Sequence, residues 1–346
     1  MRAGMVAPLT GVGAGEGVTA LPAGASASGG REGRIEWFPV AFFSVVLGLA
    51  GTALAWRRAA DVLGWPGLGP GLAWLALAAY LAIGGGYLAK IVRYPAAART
   101  EWRKPVALAF LPMTSIGALL LATAFVGLAD RMSTVLWWLG AAGQLGLTLW
   151  VLSTWIGDPR IRTEHAHPAW FVPVVGNLVV PLAGAAHAPA EVSWFFFSVG
   201  LVYWLVLLPV VLNRLFFHGP LPARLTPTHA ILLAPPAVAF LAYLRLGGQA
   251  ADPLARILLS VAVFQTLLLA VQVRSLRGIG FFLSWWALSF PLAAVSTALL
   301  AASGETGSDA AAWAGGGLLL VLTGLVVGLT GRTGLAVGRR QVCRPE

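Results

Sequence analysis

The chain has 346 residues, of which 58% are hydrophobic and only 10% charged. A soluble globular chain carries about 25% charged residues, so this one cannot cover itself with a polar surface and reads as a polytopic membrane protein. Its net charge of +10 lies between apolar stretches rather than in one block. That pattern sets topology and meets anionic lipid, and it gives no reason to expect a nucleic-acid partner.

Residues 1–33 are rich in Gly, Ala and Ser and lack the basic segment and apolar run of a cleaved leader, so they are expected to form a disordered cytoplasmic tail. Within them "GVGAGEG" (Gly11 to Gly17) has neither a strand before it nor a helix after it, as a nucleotide loop needs. No cofactor is expected. About 20 apolar residues cross a bilayer as a helix. Ten such stretches fall near 37–56, 71–92, 106–127, 134–156, 169–187, 192–217, 228–246, 254–276, 281–302 and 313–331. Short punctuated connections ("GWPGLGP", "GDPR", "HGPLP") join them, so residues 34–338 are expected to be one all-α, ten-helix membrane domain. Residues 339–346 form a short basic tail with the single cysteine, Cys343, which excludes a disulfide within the chain. "EHAH" (Glu164 to His167) has two histidines but no clear third metal ligand. Nor does any nucleophile–base pair suggest an enzyme.

Eighteen Lys and Arg fall on the side that holds both termini; Arg57, Arg58, Arg131, Arg245 and Arg256 fall on the other. The bias predicts a multi-pass cell-membrane protein with both termini cytoplasmic.

Every odd span carries an apolar–proline element: "WFPVAF" with Pro39, "FLPMTS" with Pro112, "FVPVVG" with Pro173, "LAPPAV" with Pro235 and Pro236, and "SFPLAA" with Pro291. Among the even spans only the sixth has one, at Pro209. A recurrence near every 60 residues implies a helical hairpin used five times, and five equivalent hairpins suggest a pseudo-five-fold ring around a central pore. Broken backbone at membrane depth is tolerated when buried in protein or facing water, which assigns the odd spans to the inside. The prolines would otherwise simply kink tightly packed helices. Phe43, Ser44, Thr114, Ser115 and Asn177 sit near the breaks as candidate pore-lining residues, with Ser289 beside Pro291. Gln144 and Gln265 lie on even spans and count against the division.

All thirteen Asp and Glu lie in tails, connections or span ends. No carboxylate is offered at depth for proton coupling or for a cation-selective ring. What remains is a narrow uncharged pathway that favours anions, selecting them by the cost of dehydration. Lys90, Arg93, Arg99, Arg103, Lys104, Arg160 and Arg162 crowd its cytoplasmic mouth. Phe290, directly before Pro291, either projects into the axis and gates by excluding water, or packs between helices as an ordinary phenylalanine.

The stretch from "WFPVAFFSVVLGLAGTALAW" (37–56) to the end of the tenth span resembles a known family. It comprises the slow anion channels of plant guard cells, the bacterial tellurite-resistance protein TehA and the malic acid transport proteins of fungi. "KIVRYP" (90–95), "FLPMTSIGALL" (110–120), "GQLGLTLWVLS" (143–153), "HPAWFVPVVGN" (167–177), "LAPPAVAFLAYL" (233–244), "PLARILL" (253–259) and "FFLSWWALSFPLAA" (281–294) carry the resemblance. It implies a homotrimer of ten-helix protomers, passive conduction of small anions, and a ninth-span phenylalanine that closes the pore, matched by Phe290. Ser44 aligns with a small residue that faces that gate. Val46 stands where the TehA pattern has a proline, which leaves the first kink to Pro39. The long kinase-regulated tails of the plant channels have no counterpart, so phosphorylation control is not expected. The runner-up function is a carrier for C4-dicarboxylates, sulfite or tellurite species.

Overall fold

The structure, a computed structural model, describes residues 35–276, 278–339 and 343. The expected tail 1–33 and most of the expected tail 339–346 lie outside the described residues. Every regular element among those described is helical. Nine are long and apolar enough to cross a membrane: α1 Val40–Leu63, α2 Gly69–Arg93, α3 Pro105–Phe125, α4 Asp130–Gly157, α6 Ala190–Phe217, α7 Ala223–Arg245, α8 Pro253–Gln272, α9 Leu283–Thr306 and α10 Asp309–Gly338. The expected fifth span corresponds to a shorter apolar helical segment, α5, Pro168–Gly184.

Burial alternates along the chain. In α1, α3, α7 and α9, 78–83% of the most apolar window is buried inside the protein; in α2, α4, α6, α8 and α10 only 17–33% is. All of α5 except Leu182 is buried. The even helices thus turn most of their apolar surface outward, as lipid-facing helices do. Contacts among the odd helices follow a circular order. α1 packs on α3, α3 on α5, α5 on α7, α7 on α9, and α9 back on α1. Each even helix lies against the odd helix that precedes it, and α10 also touches α1.

The two sets differ in backbone as well. Each even helix is one continuous α-helix, Pro209 in α6 included. Each odd helix is broken. α1, α7 and α9 begin as 3-10 segments (Val40–Phe42, Ala223–Leu233 and Leu283–Leu288) before turning α-helical. α3 is interrupted between Phe110 and Met113, and α5 alternates 3-10 and α turns. The prolines mark these transitions rather than mid-helix kinks. Pro39 caps the first 3-10 turn, and Pro112 caps the α-helix that starts at Met113. Pro235, Pro236 and Pro291 lie in the first turn of their α segments, where a missing N–H breaks no intrahelical bond. Hydroxyls three residues on take up carbonyls of the tight turns. Ser44 Oγ donates to Ala41 O at 2.6 Å, Thr114 Oγ1 to Leu111 O at 2.8 Å, and Ser289 Oγ to Trp286 O at 2.6 Å.

Toward the far ends of the odd helices, arginines donate to backbone carbonyls of their neighbours. Arg57 donates to Ala124 O and Val126 O of α3 and its exit, and Arg58 donates to Ala301 O of α9. A cation there also complements the helix dipole. Gly64 and Gly307 end α1 and α9 in the left-handed conformation, at φ 65° and 68°.

Candidate functional site

Close packing of α1 on α9 brings the candidate gate to the middle of the bundle. Gly48 and Gly51 make the approach possible. A Cβ on Gly48 would lie 2.3 Å from Ser289 Oγ, and one on Gly51 3.2 Å from Phe290 Cδ2 and 3.0 Å from Ala293 Cβ. With both glycines in place, the half-buried Phe290 borders a cavity of about 50 Å³, room for a few waters at most.

All five odd helices contribute to this cavity. Ser44 and Leu47 come from α1, Met113 and Ile116 from α3, and Phe171, Val172, Val175, Gly176 and Val179 from α5. Ile231 and Ala234 come from α7, and Trp286, Ala287, Phe290 and Pro291 from α9. None of them is charged. Ser44 is the single hydroxyl on the wall, and its proton goes to Ala41 O. Trp286 faces the cavity while its Nε1 donates outward to Thr333 Oγ1 of α10 at 2.9 Å, which fixes the indole. A site of this composition offers an ion neither a carboxylate nor an ammonium. Its one hydroxyl has no titratable group beside it on the wall. Among the described residues no three His, Cys, Asp or Glu converge to hold a metal. The Nδ1 atoms of His165 and His167 accept hydrogen bonds from the backbone N–H of Arg162 and Ala169.

The sequence-derived residues divide into three groups. Ser44, Phe290 and Pro291 border the cavity. Phe43 faces away from it, its ring edge-on to Tyr80 and Tyr87 of α2 at 5.8 and 6.1 Å. Thr114 is bound into the α2–α3 contact, its carbonyl accepting from Tyr80 Oη at 3.1 Å. Pro39, Pro112, Pro235 and Pro236 shape their helices without bordering the cavity.

Ser115, Asn177 and Pro173 form a buried polar cluster one layer behind the wall, together with Gln144 and Thr148 of α4. Gln144 Oε1 accepts from Ser115 Oγ at 2.8 Å, while its Nε2 donates to Pro173 O at 2.8 Å. Thr148 Oγ1 donates to the same carbonyl at 2.8 Å. Asn177 Nδ2 donates to Val174 O at 2.9 Å and Thr148 Oγ1 at 3.0 Å. Gln144 therefore does not oppose the inside–outside division. It reaches inward from an outer helix and satisfies backbone freed by the broken α5, as membrane depth requires. Gly176 leaves space for it, since a Cβ there would lie 2.4 Å from Gln144 Nε2.

The basic mouth needs a correction. Lys90 is only 4% exposed and pairs with Glu101 at 2.8 Å, so its charge is not offered to a passing anion. Lys90 Nζ also donates to Phe38 O at 2.9 Å, Tyr87 Oη donates to Glu101 Oε2, and Val40 N–H donates to Glu101 Oε1, both at 3.0 Å. The pair is a clamp on the start of α1. Arg160 is held by Asp158 through Nε and Nη2, which pushes that carboxyl down to about 2.

A family model described as voltage-dependent anion channel matches residues 37–334. The chain is 30% identical to the S-type anion channel SLAH2 of Arabidopsis thaliana, over 78% of this chain and 53% of that protein. It is 32% identical to the S-type anion channel SLAH3 of the same plant, over 75% and 42%. The tellurite resistance protein TehA homolog of Haemophilus influenzae is 28% identical over 76% of this chain and 80% of its own length. The chain thus spans about half the length of the plant relatives.

Proposed function

This chain belongs to the voltage-dependent anion channel family, a multi-pass membrane family, and from that premise we propose that it is a passive channel for small monovalent anions. One observation carries the proposal: a narrow cavity bordered by all five broken, buried helices and by no charged residue. In this reading α1 to α10 are five hairpins in a pseudo-five-fold ring, and the cavity is the closed middle of a pore along its axis. Phe290 is the lid, supported by its place on the cavity and by the absence of side chains at Gly48 and Gly51. A wall without carboxylates disfavours cations, and an apolar constriction holds the pore shut by excluding water. Opening then requires the ring to swing aside rather than a proton to move. The protein works as a homotrimer in the cell membrane, with both termini in the cytoplasm, as the likeness to TehA and the distribution of Lys and Arg suggest.

The test is anion current in planar bilayers, wild type against Phe290→Ala. Small wild-type currents and large mutant currents, with reversal potentials that follow the chloride gradient, are expected. A reversal potential that follows Na⁺ or K⁺ overturns the anion pathway. Absence of current from either form, with flux retained in vesicles, replaces the channel by an electroneutral carrier.

A further inference from the structure

A second pocket, of about 280 Å³, opens between the short helix Pro95–Trp102, the start of α3 and the last turns of α4. It lies at the end of the bundle that carries most of the basic residues. Its apolar side is Pro105, Leu108 and Ile161; Arg99 and Arg103 stand at its rim. Both arginines are exposed, and among the described residues neither guanidinium has an ion-pair or hydrogen-bond partner. The one carboxylate on the pocket, Asp158, is taken up by Arg160 at 2.6 Å. Two neighbouring unpaired guanidiniums call for an oxyanion, and planar forked donors suit a phosphate.

The surroundings identify the kind of phosphate. Trp150, on the pocket, is 43% exposed on the outer face of α4 and takes the edge of Trp102 at 5.9 Å between ring centres. Leu149 and Ile156, at 58% and 86% exposure, continue that face as an apolar outward surface. A ligand seated here meets cationic groups at one end and a greasy, outward-facing strip at the other. Tryptophan at such a boundary is the usual companion of lipid headgroups.

We propose that this pocket binds an anionic phospholipid, its phosphate held by Arg99 and Arg103 and one acyl chain lying along Trp150 and Leu149. The site is separate from the central cavity and does not depend on conduction.

Native mass spectrometry of the detergent-solubilised full chain, titrated with phosphatidylglycerol or phosphatidylcholine, tests it. Phosphatidylglycerol is expected to fill one saturable site that phosphatidylcholine does not. Arg99→Ala with Arg103→Ala is expected to weaken that binding by about 30-fold, whereas Arg93→Ala with Arg274→Ala, at the same end but off the pocket, changes it by about twofold or less. Thr154→Trp, which fills the pocket and keeps both arginines, weakens it too. Equal loss in the two arginine pairs, or undiminished binding in Thr154→Trp, reduces the effect to diffuse charge and overturns the site. Displacement of the lipid by excess inorganic phosphate makes it a free-phosphate site and overturns the lipid assignment.

Discussion

Replacing Gln144 by Leu and Thr148 by Val tests whether α4 mends the break in α5. The carbonyl of Pro173 accepts from Gln144 Nε2 and Thr148 Oγ1, both at 2.8 Å, and from Asn177 Nδ2 at a long 3.3 Å. A carbonyl has two lone pairs. Either single substitution leaves one strong donor in place, so each should cost about 0.5–1 kcal/mol, the usual worth of an interhelical hydrogen bond in a membrane protein. The double substitution removes both. It leaves an acceptor in a fully buried cluster with only the long Asn177 contact, and an unsatisfied buried group costs about 1–3 kcal/mol. The double variant should therefore lose roughly 1–2 kcal/mol more than the sum of the singles. Unfolding in mixed micelles with increasing SDS, followed by tryptophan fluorescence, gives all four corners of the cycle. Costs that add to within about 0.5 kcal/mol would refute the shared-acceptor account and leave Gln144 and Thr148 as independent packing residues.

Glu101→Gln should destabilise by roughly 3–5 kcal/mol, because it leaves the buried Lys90 without its counter-charge; the double variant with Lys90→Met should recover much of that in the same assay. Gly48→Ala should cost about 1–3 kcal/mol by forcing α1 off Ser289 and Trp286, whereas Gly84→Ala on α2, where a Cβ meets nothing within 4 Å, should be neutral or stabilising. His167, 1% exposed just before α5, is held down to about 4 from the ordinary 6.5 by burial, with Arg214 and His165 adding to the effect. Below pH 6.5 the unfolded chain takes up a proton that the folded one refuses until about pH 4. Stability should then fall as pH drops through that window, by up to about 3 kcal/mol. Melting temperatures from pH 7.5 to 4.5 should slope in wild type and flatten in His167→Gln, with a smaller residual slope from His187, which burial also holds below its ordinary value.

Much of this was legible in the sequence. Apolar length and Gly/Pro punctuation located nine of the spans with ends up to seven residues out, and the fifth as a shorter apolar segment, because in hydrocarbon a crossing must satisfy its backbone. The odd-span prolines foretold which helices are buried, since a chain tolerates broken backbone only where something else can bond it. They did not reveal the form of the break. A proline at Pro112 or Pro291 reads as a kink until the preceding turns are seen to be 3-10 or irregular. The sequence singles out Phe290 because it sits beside such a transition, and in the fold it borders the central cavity. Phe43 sits beside one too and turns the other way, toward Tyr80 and Tyr87, which hydropathy alone does not specify. Gln144 reads in the sequence as an exception to the division, because its partner is a carbonyl 29 residues away. Lys90 reads as a free cation for a similar reason: only the fold brings Glu101 back along α2 to neutralise it.

The contact between α1 and α9 bears on how the molecule is made. Arg58 and its acceptor Ala301 are 243 residues apart, and Gly48 meets Ser289 across the same seam. At ribosomal speeds of about 5–20 residues per second, roughly 10–50 s separate the emergence of the two faces. Throughout that interval α1 is in the bilayer with its glycine groove, and the guanidinium that will meet Ala301, open to lipid or to an insertion factor. The bundle is an open arc until its penultimate helix arrives. A nascent chain truncated before residue 283 is then a substrate for quality control, however well its first eight helices have packed.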